Sequence, residues 1–184
     1  LILSGCGPGK GVPVSENDGY TISRSSVGNS LQYLSSDALE GRETGTAGIE
    51  KAALYIEEVF QKSGIKPYFV TYRDSFEVKG KVGYNLVGFK EGNDPVLKEE
   101  FIIIGAQYDH VGKKESGEED VIFNGANDNA TGSTAVLELA KYFADKELKR
   151  SVLFALFSAE EMGLVGARNL TERLSTEDLD LYVM

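Results

Sequence analysis

"FIIIGAQYDHVG", residues 101–112, sets the fold. Phe101 to Ile104 are apolar without interruption and lead into Gly105 and Ala106, with none of the polar alternation of a half-exposed strand. A continuous apolar run of this length is expected of a strand covered on both faces. The chain then turns polar at Gln107, Tyr108, Asp109 and His110, the last being the single histidine of the sequence. Open α/β sheets bind ligands outside the carboxyl ends of their strands, so this polar cluster falls where a site is expected.

Working downstream, "SVLFALF" (151–157) is a second run of the same kind. Between the two, Ala135, Val136, Leu139, Ala140 and Phe143 recur at helical spacing and predict a helix over 133–145. Strand, helix and strand over 101–157 make a βαβ unit, whose strands are parallel. Upstream, Ile49, Ala53, Ile56 and Phe60 predict an amphipathic helix stopped by Gly64, and Asn29 or Ser30 is the expected cap of a short helix carrying Leu31 and Leu34. "YFVTYRDSFEV" (68–78) and "YNLVGF" (84–89) read as strands, "AEEMGLVGARNLTERL" (159–174) as the start of a short helix, and "LDLYVM" (179–184) as a strand. The expected fold class is α/β, with a mixed, mainly parallel sheet flanked by helices on both faces.

The chain of 184 residues is long enough for one domain with a real core, and its 41% hydrophobic and 26% charged residues read as globular. A net charge of −10 argues against a nucleic-acid partner, which calls for clustered Lys and Arg. The single cysteine, Cys6, rules out an intrachain disulfide, and no apolar run approaches the roughly 18 residues of a membrane span. Leu3-Ser4-Gly5-Cys6 resembles the lipobox of bacterial lipoproteins. On that reading residues 1–5 are the tail of a cleaved signal peptide and 6–20 carry the lipidated Cys6 and a flexible tether. The protein then sits extracytoplasmically in a bacterial cell envelope, membrane-anchored by lipid alone; the alternative is an incidental cysteine in an N-terminal tail.

Three polar segments converge on the predicted sheet edge: Gln107, Asp109 and His110 after the first strand, "NGANDNATG" (124–132) leading into the helix, and Ser158 to Glu161 after the second strand. Together they bring Asp109, Asp128, Glu160 and Glu161 to one place, where like charges raise one another's pKa values and a cation removes the conflict. Carboxylate and imidazole donors suit zinc and its neighbours. Taken singly, Asp128 is also readable as an Asx turn, the two glutamates as favourable helix N-terminal charges, and Asp109-His110 as a surface turn. Adjacent glutamates at a strand-to-helix junction can share a site, one ligating a metal and the other taking a proton from water.

"GAQYDHVG", "FNGANDNATG" and "FSAEEMGLVGAR" resemble, in order and spacing, the three successive motifs of the family-twenty-eight zinc metallopeptidases, the two-zinc aminopeptidases. "YLSSDALEGRETGTAG" (33–48) resembles that family's N-terminal segment. The resemblance implies that residues 21–184 form a metallopeptidase domain, C-terminally truncated, that hydrolyses N-terminal residues from peptides. It implies that Asp128 bridges two zincs, Glu161 ligates one, Glu160 is the general base, and Asp109 orients the first histidine ligand. It also implies a cis peptide bond after Asp128. Two departures stand out. The position of that first histidine holds Gln107, a poor zinc ligand, and His110 stands three residues late and is set aside as a bystander. The family's remaining carboxylate and histidine ligands fall downstream of "LDLYVM". Catalysis in this chain is accordingly expected to be impaired. The alternative is a catalytically degenerate lipoprotein that binds peptides or a protein partner; a glutaminyl-cyclase-like activity ranks third.

Overall fold

The computed structural model describes residues 19–114, 120–175 and 180–183. The lipobox-like residues 3–6 and most of the expected tether lie outside these residues. Tyr20, counted with the tether, is docked on the domain: its hydroxyl donates to Glu138 Oε2 at 2.5 Å.

The chain opens with α1 (Arg24–Leu34). Its cap is Ser23, whose hydroxyl accepts the Ser26 N–H at 3.1 Å, and the expected caps Asn29 and Ser30 lie inside the helix. Val27, one turn before Leu31, extends the apolar stripe upstream and carries the helix back to Ser23. A tight turn over Asp37–Arg42 leads to α2 (Ala47–Lys62), which buries Ile49, Ala52, Ala53, Ile56 and Phe60 along one face. Gly64, at φ +75°, ends this helix as expected.

Strands β1 (Lys66–Pro67), β2 (Arg73–Val78) and β3 (Lys81–Lys90) follow. The expected strand over 68–78 begins only at Arg73. Val87 accepts the Tyr68 N–H at 3.2 Å and donates its own N–H to Tyr72 O at 2.7 Å, so the chain bows out between these two bonds. The rings of Tyr68 and Phe69 pack together instead, and Tyr68 also meets Phe89 and Phe101 edge-on. Then come β4 (Glu100–Gln107), α3 (Thr131–Phe143), β5 (Ser151–Phe157), α4 (Val165–Ser175) and β6 (Asp180–Val183).

The sheet runs β1-β3-β5-β4-β6, with β2 beside β3. It is mixed. β4 pairs in parallel with β5, Phe101 opposite Ser151 through Gln107 opposite Phe157, and in parallel with β6. The pairings of β3 with β1, β2 and β5 are antiparallel, and a short hairpin joins β2 to β3. The parallel part is therefore confined to β4, β5 and β6, a smaller share than expected.

Helices cover both faces. On one side Leu34, the buried face of α2, and Val136, Leu137 and Ala140 of α3 pack on Leu86, Val152, Phe154 and Leu156. On the other, Leu170 and Leu174 of α4 pack on Val87, Phe101, Ile103, Leu153 and Ala155. Each fully buried Leu, Ile or Phe contributes about 1.5–3 kcal/mol of transfer free energy, and β5 is buried on both sides from Ser151 to Leu156. That rigid central pair, β4 and β5, aims the two polar segments at one edge.

Candidate metal centre

Hydrogen bonds hold the strand ends in register past the sheet. Tyr108 continues β4 by one step, its N–H donating to Phe157 O at 2.8 Å, and its buried ring sends the hydroxyl to Tyr84 O at 2.8 Å. Ser133, in the first turn of α3, donates its hydroxyl to Gln107 O at 2.7 Å and ties that helix to the end of β4. Asn129 Oδ1 accepts the Gly132 N–H at 2.8 Å, so a turn bond of the kind weighed for Asp128 is made by its neighbour. The Asp128–Asn129 peptide bond is cis, as the resemblance implies.

Asp109 is buried, at 1% exposure. Its Oδ1 accepts the Glu160 N–H at 3.2 Å and its Oδ2 the Glu161 N–H at 3.4 Å and the Thr44 hydroxyl at 3.2 Å. Thr44 Oγ1 in turn accepts the Ala159 N–H at 3.0 Å. Ala159 stands in the left-handed region at φ +55°, which rotates the two following N–H groups toward the one carboxylate. Burial pushes the Asp109 carboxyl up to about 6, against the lowering by those three donors and with a further rise from the Glu161 charge. Asp109 thus orients the turn that carries both glutamates.

Gln107 lies at the end of β4, and its amide Nε2 donates to Asp128 Oδ1 at 3.1 Å and to Glu160 Oε2 at 3.0 Å. His110 meets the other glutamate, its Nδ1 at 2.9 Å from Glu161 Oε1. One donor atom each from His110, Asp128 and Glu161 lie within 4.8 Å of one another, a grouping that sequence reasoning, which set His110 aside, did not foresee. One imidazole and two carboxylates are a donor set that fits zinc.

A second residue missed from sequence is Arg42, in the stretch 33–48 that resembles the family's N-terminal segment and to which no site residue was assigned. It is 1% exposed. Its guanidinium donates to Tyr108 O at 2.9 Å, to Asn124 O at 2.7 Å, to Gly125 O at 3.0 Å and to Leu34 O. It thereby fastens the segment before Asp109 and His110 to the segment before Asp128. Its own carbonyl accepts the His110 N–H at 3.2 Å. Burial lowers the guanidinium to about 10, a fall limited by the Asp109 and Asp128 charges. Gly125, at φ +59°, makes the close approach possible: a Cβ there would stand 2.5 Å from Asp128 O and 2.7 Å from both Arg42 Nη2 and His110 Cδ2.

Known proteins resemble this chain in sequence and in fold. The model of peptidase family M28 matches residues 85–183. The alkaline phosphatase isozyme conversion protein of Escherichia coli K12 is 31% identical over 149 residues, which cover 73% of this chain and 42% of that protein. A zinc aminopeptidase from Bacillus subtilis superposes with a TM-score of 0.63 at 14% identity, over 80% of this chain and 64% of its own. A glutaminyl cyclase from Fimbriiglobus ruber superposes with a TM-score of 0.69 at 19% identity, over 90% of this chain and 60% of its own. At such identities the two superpositions speak for the fold alone, and the chain spans less than two thirds of each of these three proteins. The family match takes in more than half of the chain, including Gln107 to His110, Asp128, Glu160 and Glu161; the chain belongs to peptidase family M28, which has zinc aminopeptidases among its members.

Proposed function

We propose that this chain carries the core of a zinc-dependent aminopeptidase-type hydrolase that removes N-terminal residues from peptides. The observation that carries the reading is the junction after β5. There Asp109 holds the main chain of Glu160 and Glu161, so that one glutamate faces Asp128 across the Gln107 amide and the other faces His110.

Asp128 and Glu161 are the residues that would hold zinc, which when bound supplies Lewis-acid polarisation of the scissile carbonyl. Glu160 is the general base: its carboxylate takes the proton of the attacking water and returns it to the departing amine. Asp109 and Thr44 position Glu160 by fixing the backbone from Ala159 to Glu161. A buried support of this kind keeps the base in place without touching the substrate. Peptides are the substrate class, and the lipobox at Cys6 supports an extracytoplasmic, lipid-anchored location; transfer to the soluble fraction on Cys6→Ala tests that location.

The catalytic reading is tested with aminoacyl p-nitroanilides and short peptides, with zinc added to this chain. Release of p-nitroaniline that falls at least about 100-fold in Glu160→Gln, with zinc uptake retained, is the expected result. Absence of any turnover by the zinc-loaded chain would overturn it. One observation favours a second reading, a peptide-binding relative without catalysis. The Gln107 amide already donates hydrogen bonds to Asp128 and Glu160, at the position where an imidazole ligand is expected.

A further inference from the structure

We propose that His110, with Asp128 and Glu161, forms a one-metal zinc site that takes the place of the ligand arrangement lost at Gln107. In this chain the imidazole reaches the metal from the residue after Asp109 rather than from the end of β4. The choice of zinc rests on the hydrolase reading above; the site itself rests on the placement of three side chains.

The donor atoms of His110, Asp128 and Glu161 lie within 4.8 Å of one another. Bonds of about 2.0–2.2 Å to a tetrahedral zinc set donor atoms about 3.3–3.6 Å apart. The three side chains therefore need to move by about an ångström, within the reach of rotamer adjustment. His110 Nδ1 and Glu161 Oε1, at 2.9 Å, must open by about half an ångström to admit the ion between them. The His110 N–H is bonded to Arg42 O at 3.2 Å, and Gly125 leaves the ring room by lacking a side chain.

Gln107 is poorly suited to compete. Its amide nitrogen has no free lone pair and points to Asp128 and Glu160 as a donor. It holds Asp128 and Glu160, whereas His110 holds Glu161. Three protein ligands leave a fourth position open, the pattern of a catalytic rather than a purely structural zinc.

The single histidine makes the test direct. With metal-free 184-residue chain labelled with nitrogen-15, one imidazole gives one pair of ring signals, and zinc chloride is the probe. The expected result is a shift of that pair that saturates at one zinc per chain. By calorimetric titration, His110→Ala is expected to weaken zinc at least about tenfold, and Gln107→Ala by less than about threefold. Circular dichroism confirms that each variant is folded, and the ring signals of the unmutated chain stand as evidence apart from any variant. Imidazole signals that do not move at saturating zinc, or equal zinc affinity in His110→Ala and the parent, overturn the proposal. Zinc held through His110 with no peptide cleavage sinks the hydrolase reading and leaves the site standing. Cleavage supported by zinc with the imidazole unmoved does the reverse.

Discussion

Arg42→Met tests whether one buried guanidinium holds the centre together. The substitution keeps an apolar stem of similar length and removes every donor to the carbonyls of Leu34, Tyr108, Asn124 and Gly125. The bonds to Leu34 and Tyr108 are buried, whereas those to Asn124 and Gly125 are partly buried. The two buried acceptors lose their partner without water to replace it, at about 1–3 kcal/mol each. The other two rehydrate, at about 0.5 kcal/mol each. Removing a buried charge returns part of this, on the order of 1–2 kcal/mol. The net loss is about 3 kcal/mol, which for a chain of this size lowers Tm by about 6–12 °C. Arg42→Lys is expected to recover little, because one ammonium cannot span four carbonyls that a planar fork reaches together. Thermal unfolding followed by far-UV circular dichroism in metal-free buffer gives the number, and zinc titration of the folded variant is expected to show weaker binding. A Tm within about 2 °C of the parent would refute the clamp.

Two further outcomes follow from the same geometry. Gly125→Ala puts a methyl 2.5 Å from Asp128 O and 2.7 Å from His110 Cδ2 at a left-handed φ, so urea unfolding should show a loss of about 2 kcal/mol or more, with zinc affinity reduced. Glu138 gives a pH dependence. Its burial raises the carboxyl, but hydrogen bonds from Lys141, Tyr20 and Ser26 outweigh this and hold it below its ordinary 4.5. A carboxyl depressed in the folded state contributes stability that is present above 4.5 and is lost as pH falls through the folded value. Glu138→Gln should therefore cost about 1–2 kcal/mol at pH 7 and flatten the acid limb in urea melts at pH 7 and pH 3.5; parallel limbs would contradict it.

Much of the fold was legible because its centre obeys local patterns. The apolar runs at 101–106 and 151–157 became β4 and β5, and the helical period between them became α3. Periodicity reports burial, and β5 is buried on nearly every residue. What escaped was set by partners far away in sequence. Nothing between Tyr68 and Tyr72 announces that both ends of the segment bond to Val87 and force it out of the strand. Likewise, the step from Asp109 to His110 depends on Tyr108 extending β4 by one residue before Asp109 turns inward. His110 was discounted because its position in the motif was compared with a ligand position, whereas its placement follows from the chain's path over Arg42. Arg42 and Thr44 lie in the stretch 33–48 that resembles the family's N-terminal segment, but their types and spacing gave no sign of the distant carbonyls and carboxylate they reach.

The bonds that assemble the centre have a consequence for how the molecule forms. Arg42 to Asn124 closes 82 residues, Thr44 to Ala159 closes 115, and Asp109 to Glu160 closes 51. Closing loops of that length is entropically costly, so such contacts accrue only after nearer ones have reduced the chain's freedom. The helices and the β2–β3 hairpin can condense first, as a nucleus built from neighbours in sequence. The carboxylates reach their final places only when the N-terminal segment, the β4 end and the β5 end have all docked. The centre is thus a record of completed folding, and a nascent or partly opened chain exposes these acids to water singly, before they can act together on any ion.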